Sequence, residues 1–251
     1  MRALREYRLL SPGDRLCVCI SGGKDSMLLA KLIQILQRHS EVPFEARYAV
    51  MDPGYAPDIR RQVEETAERL GIPCEVFESD VFEAAYREEP EHPCFLCARM
   101  RRGCLYGKAA ELGCNKIVLG HHFNDVIETT VMAMLYGGQM QGMLPRLRAK
   151  NFPGMELIRP MYAVHEEDIL AWRDAHGLSF IRCACRFVER QEEEGASGRR
   201  QVKELLRALK EKNPNVERNV FGSIHTVQLD TLPGWKYRGE RHSFLDDFGD
   251  G

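Results

Sequence analysis

The sequence lacks the long apolar run that a membrane crossing requires. Nowhere do about 18 uncharged hydrophobic residues follow one another, and charged residues make up 29% of the chain. Its opening, MRALREYRLL, has no unbroken apolar stretch and does not read as a secretory leader. Neither sign of charge is in excess, because 35 Lys and Arg stand against 37 Asp and Glu for a net charge of −2. A uniformly basic coat is therefore excluded, and any contact with nucleic acid must rest on local patches. Internal repeats and low-complexity tracts are missing, as are collagen-like, coiled-coil and disordered compositions. These absences predict a cytoplasmic protein with no membrane partner.

What is present is a chain of 251 residues, 44% of them hydrophobic, enough for one large domain with its own core. Nine cysteines is a high count, but the number is odd and the spacing uneven. Without an export signal a disulfide framework is not expected, and metal binding or thiol chemistry becomes the question. Strand and helix patterns alternate. Residues 15–20 (RLCVCI), 44–51, 73–78, 115–120 and 156–161 read as strands, and residues 27–37, 56–71, 95–112, 123–136, 165–177 and 198–212 as helices. Such alternation predicts a parallel α/β sheet with helices on both faces, whose ligands gather at the carboxyl ends of the strands. Residues 140–154 read as a loop, and the tail after Pro233 shows no periodicity. Residues 1–160 are expected to form the α/β domain and residues 161–251 a small helical C-terminal extension.

Ser21-Gly22-Gly23-Lys24-Asp25-Ser26 lies between a predicted strand and a predicted helix. That context places unpaired backbone N–H groups and the positive end of a helix dipole where phosphate binds. The two glycines allow a tight turn and close approach of an anion, and Lys24 adds charge. The spacing is not that of a Walker loop. SGGKDS resembles the PP-loop of the ATP pyrophosphatase family, whose members cleave ATP between the α and β phosphates and adenylate a carbonyl oxygen. The resemblance implies a five-stranded parallel sheet. It also implies ATP contacts at Ser21 to Ser26, at Asp52 after the second strand, and at Gly120, His121 and Asp125 after the fourth. His122 is expected beside them. Mg²⁺ is the expected counter-ion for the triphosphate, with Asp25 or Asp125 to orient it.

Cys94-Phe95-Leu96-Cys97 opens a predicted helix, and Cys183-Ala184-Cys185 is the other close pair. Either can ligate zinc or iron–sulfur, or act in redox chemistry. Cys17, Cys19, Cys74 and Cys114 read as small core residues. Cys104 shares a helix face with Cys97. Together SGGKDS, CFLCARMRRGCLYGKAAELG, LGHHFNDVIETTVMAMLYGG and IRP…CAC resemble the tRNA 2-thiocytidine synthetases over about residues 10–210. That resemblance implies a [4Fe–4S] cluster held by three cysteines, sulfur transfer to cytidine at tRNA position 32, a homodimer, and a sulfur donor such as a cysteine desulfurase. Cys94 and Cys97 match the first two ligands. The third falls in the CxC segment, where the family has CxxC; Cys183 and Cys185 both stand open, and the family pattern favours Cys185. The implied catalytic set is Lys24, Asp25, Cys94, Cys97 and Cys185.

Arg99, Arg101, Arg102 and Lys108 follow the CxxC without an intervening acid and are the expected RNA contact. Arg146, Arg148 and Lys150 form a second basic group. Arg199, Arg200, Lys203, Arg207 and Lys210 stud the last predicted helix, either facing RNA or simply solvated. Phe95 is expected in the core more than as a stacking surface. Outside RNA sulfur transfer, a PP-loop enzyme acting on another nucleotide or a small molecule, and a zinc-stapled nucleotide-binding module without catalysis, share these motifs.

Overall fold

The computed structural model describes residues 1–91, 93–181 and 198–247. Five parallel strands form its centre: β1 (Asp14–Ile20), β2 (Phe44–Asp52), β3 (Cys74–Glu78), β4 (Lys116–Val118) and β6 (Glu156–Ile158). A sixth, β5 (Arg146–Arg148), runs antiparallel along β6 at the edge, inside the stretch expected to be a loop. Its three residues are too few to show a period of two, so pairing with β6 alone marks them as strand. The order β3-β2-β1-β4-β6-β5 reverses direction between β1 and β4. At such a switch point the connections leave the sheet to opposite sides and open a crevice at the carboxyl ends of the two strands.

The alternation of β1 sorts its side chains onto two faces. Leu16, Val18 and Ile20 pack with α1 (Arg2–Glu6), α2 (Lys24–His39), α3 (Pro57–Arg69) and α7 (Glu166–Ala175). Cys17 and Cys19 pack on the other face with Cys114 and with Tyr106 and Ala109 of α5 (Pro93–Glu111), which also meets α4 (Val81–Glu88). The reading of these buried cysteines as core residues is correct, and the Cys114 thiol is pushed up by its contact with Cys17 and by burial. Met161, Tyr162, Ile169 and Leu178, beyond residue 160, lie in the same cluster as Leu16. A third cluster joins Phe123 and Ile127 of α6 (Phe123–Gly137) to Val202 and Leu206 of α8 (Gly198–Lys212), with Val220 and Phe221 of α9 (Val216–Ser223) against it.

The aperiodic tail is in fact a hairpin, β7 (Gly234–Tyr237) against β8 (Glu240–Ser243). Arg238 and Gly239 turn the chain with φ of 51° and 95°. Positive φ at both central residues is the geometry that two-residue hairpins require, and Arg-Gly is not among its usual signals. Among the described residues no helix is long and apolar enough to cross a membrane.

Candidate active site

The phosphate loop runs from the end of β1 into α2, at the sheet's switch point. Gly22 has φ of 82°, and a Cβ there would fall 2.5 Å from Val63 Cγ2 and 2.8 Å from Ile181 Cδ1. Glycine is thus required twice, by backbone conformation and by space. Gly23 caps α2 with extended backbone. The buried Ser26 hydroxyl donates to Gly23 O at 2.9 Å and accepts the Ser21 N–H at 3.1 Å. The loop is therefore held closed on itself, with the helix N-terminus turned to the crevice. Gly120, at the end of β4, abuts it: a Cβ there would lie 3.1 Å from the carbonyl carbon and oxygen of Asp25.

Around the loop stands a chain of charges. Lys24 Nζ lies 2.9 and 3.1 Å from the two carboxylate oxygens of Asp25. Burial disfavours the Lys24 ammonium, but Asp25 and Glu166 hold its pKa above the usual value. His122 Nε2 is 3.7 Å from Asp25 Oδ1 and 3.5 Å from Asp125 Oδ2, and Asp125 also accepts the His122 N–H at the start of α6. The Nδ1 of His122 is buried with no hydrogen-bond partner among the described residues. His121 accepts at Nδ1 from Arg159 Nε at 3.3 Å. Burial, and then the Arg159 charge, lower its pKa to about 4, so it is neutral at pH 7 and suited to hydrogen bonding rather than to binding as a cation.

Asp52 ends β2 in the same crevice, but its Oδ1 accepts the N–H groups of Gly54 and Tyr55 at 2.9 and 2.7 Å. It shapes the turn that carries Tyr55, whose hydroxyl donates to Ser21 O at 3.3 Å. The structure thus brings together Ser21 to Ser26, Gly120, His121, His122 and Asp125, with Asp52 forming the wall beside them.

Sequence reading missed four contributors. Glu166, first in α7, contacts Lys24 Nζ at 3.2 Å. Arg199 of α8 reaches Asp125 at 3.7 Å and Glu128 at 3.4 Å, and Lys203 reaches Glu166 at 2.7 Å. Glu128 is buried, and that burial raises its pKa. Arg159 is the fourth, with its guanidinium also donating to Leu144 O. An acid in the first turn of a helix is ordinary macrodipole chemistry, so nothing local marked Glu166 as part of a site.

Cys94 and Cys97 occupy the first turn of α5, Cys94 exposed and Cys97 half-buried. The far end of α5 lies against the strand starts, where Lys108 pairs with Glu75 at 2.5 Å and Asn115 N–H bonds Arg15 O. A 19-residue helix is about 28 Å long, so the cysteine end lies toward the carboxyl edge that also carries the phosphate loop. Cys183 and Cys185 lie outside the described residues, and among the described residues no three His, Cys, Asp or Glu side chains gather as a metal site. Arg99 and Arg102 are exposed and Arg101 is half-buried, and none has an acid partner among the described residues. Lys108 departs from this patch through its pairing with Glu75. Phe95 is 77% exposed, so the expectation of a core role is wrong; it follows Cys94 on the outer side of the helix. Arg146 is fixed by Glu156 through two bonds of 3.0 and 2.8 Å.

The PP-loop domain model, ATP_bind_3, matches residues 2–185. The chain is 36% identical to a tRNA-cytidine(32) 2-sulfurtransferase from Alkalilimnicola ehrlichii, over 92% of this chain and 72% of that protein. It is 35% identical to another of the same name from Syntrophotalea carbinolica, over 90% of this chain and 86% of the relative. Among solved structures, the U34-tRNA thiolase NcsA from Methanococcus maripaludis with its [4Fe-4S] cluster superposes with a TM-score of 0.70, at 18% identity, over 95% of this chain and 80% of the thiolase. That last likeness is one of fold.

Proposed function

Because the chain belongs to the PP-loop domain family and to the family of tRNA-cytidine(32) 2-sulfurtransferases, we propose that it is an ATP-dependent sulfurtransferase acting on a cytidine of tRNA. The observation that supports this reading is a closed phosphate loop at the carboxyl end of the sheet with His121, held by Arg159, beside it, and a helix that opens on two thiols.

The C2 oxygen of a cytosine is a poor leaving group until it is phosphorylated. In this reading that oxygen attacks the α-phosphorus of ATP, and pyrophosphate departs toward the N–H groups of residues 21–26. Lys24 neutralises the leaving charge, and the N-terminus of α2 adds its dipole. Asp25 or Asp125, both beside His122 Nε2, would orient Mg²⁺. His121 and His122 hold the nucleotide by hydrogen bonds. Sulfide then adds at C2, and the C2–O bond breaks as the oxygen leaves in AMP.

Two thiols one helical turn apart at an accessible helix start are a soft donor set that fits iron and sulfide. Cys94 and Cys97, with Cys185 or Cys183 as third ligand, would hold a [4Fe–4S] cluster, which supplies an iron coordination position for sulfur. Arg99, Arg101 and Arg102, beside these cysteines, hold the RNA backbone. In this division residues 1–160 supply the phosphate loop, and residues 161–251 bring Glu166 and Lys203 to it and complete the cysteine site. A cysteine desulfurase is the matching class of sulfur donor.

The test is anaerobic analysis of the purified chain for iron, sulfide and zinc, followed by incubation with ATP, sulfide and tRNA. About four irons per chain, AMP formation that depends on tRNA, and 2-thiocytidine in the digested tRNA are expected. Cys97→Ser should lose the iron and keep ATP binding. Stoichiometric zinc with no AMP formed would overturn the reading in favour of a nucleotide-binding module.

A further inference from the structure

Lysine carries its ammonium on a flexible four-carbon stem, so a loop lysine that must meet a phosphate needs something to aim it. In this chain the aim is set from outside the loop. Glu166 Oε1 lies 3.2 Å from Lys24 Nζ, and its other oxygen, Oε2, lies 2.7 Å from Lys203 Nζ. Glu166 is itself fixed, since its backbone N–H donates to Asn124 Oδ1 at 2.9 Å, two residues past His122. The side chains of Lys24 and Glu166 are 22% and 18% exposed, so solvent screens their interaction poorly. Glu166 stands between two cations, one on the loop and one on α8.

We propose that Glu166 is a positioning residue for Lys24, and that Lys203 is the counter-charge which divides Glu166's attraction and leaves Lys24 available to an incoming triphosphate. The inference rests on the reading of residues 21–26 as an ATP loop and extends it: α8, whose basic residues looked from sequence like an RNA face or a solvated surface, instead tunes the nucleotide site. With Lys203 gone, Glu166 pairs with Lys24 alone, which Asp25 also holds, and the ammonium is withdrawn from the phosphate. With Glu166 neutralised, the ammonium is available but no longer aimed.

The two roles separate in a double-variant experiment on the full-length protein, with ATP·Mg²⁺ affinity measured by calorimetry, AMP formation on tRNA, and thermal unfolding as control. Lys203→Met, which removes one half-exposed cation from Glu166, should weaken ATP binding about tenfold. Lys203→Arg, which keeps the charge, should bind ATP as the parent does. Glu166→Gln should lower kcat with ATP affinity little changed. The double variant Lys203→Met, Glu166→Gln should recover the affinity and keep the low kcat, an outcome that a merely structural role would not produce. Failure of the double variant to recover affinity, or an unchanged affinity in Lys203→Met, would overturn the inference while leaving the ATP reading intact. A parent protein that binds no ATP would remove both.

Discussion

At the scale of single residues, two glycines do the least replaceable work in the site. Gly22 occupies a backbone conformation that side-chain-bearing residues avoid, in a space already taken by Val63 and Ile181. Gly120 lies against the backbone of Asp25 and lets β4 approach the loop. Gly22→Ala must open the loop or displace Val63, at about 1–3 kcal/mol for the conformation alone. The expected result is a lower urea midpoint together with ATP affinity reduced at least tenfold. An alanine variant with parent-like affinity would show that the loop's closed shape is not what binds ATP. The legibility of this site was uneven. Ser21 to Ser26 announced themselves because a strand–glycine–helix passage has few other uses. His121 did not reveal its neutral state, because that depends on Arg159, 38 positions away, and on burial.

At the scale of elements, α5 and α8 are both rich in basic residues and have different fates. On α8, Arg199, Lys203 and Lys210 are half-exposed and paired, with Asp125 and Glu128, with Glu166, and with Glu167 and Glu217. On α5, Arg99 and Arg102 are left exposed beside the two cysteines, where α5 has turned its apolar residues, Tyr106 and Ala109, toward the sheet. The difference is one of partners, since α8 crosses the acidic ends of α6 and α7 while Arg99 and Arg102 have no acid partner among the described residues. Replacing Arg99, Arg101 and Arg102 together by alanine should weaken tRNA binding and flatten its dependence on salt, by about one unit of log–log slope for each phosphate that these arginines neutralise. The same readout on Arg199→Ala should show no change in slope. Equal slopes for the parent and the triple variant would move the RNA surface elsewhere.

At the scale of the whole molecule, the sheet has a polar anchor at the edge opposite the site. Lys116 of β4 is buried 2.6 Å from Asp14 of β1, and its ammonium also bonds Leu9 O at 2.9 Å. Burial alone would raise the Asp14 pKa, but Lys116, Asn115 and Ser11 together hold it below the usual carboxylate range. A carboxylate whose folded pKa is depressed adds stability that is present above its unfolded pKa, near 4, and is lost as the pH falls through the folded value. Lys116→Met leaves Asp14 buried without its cation and should cost about 3–5 kcal/mol in urea unfolding, with ATP affinity preserved because the anchor lies across the sheet from the crevice. A cost below about 1 kcal/mol would mean that Asn115 and Ser11 satisfy Asp14 unaided.

Sequence alone determined the parallel α/β class, the phosphate loop, the cysteine helix and the two faces of β1, since each is written in a local period or a contiguous motif. Residues such as Cys17 and Cys19 declare their burial by standing in an unbroken apolar run and need no partner to be read. Tertiary structure alone decided the antiparallel edge strand β5, the C-terminal hairpin, the exposure of Phe95, and the convergence of Glu166 and Lys203 on Lys24. Those features depend on which distant segment lies alongside. A three-residue strand has no period to detect, and a charged side chain takes its role from whichever opposite charge the fold places within reach.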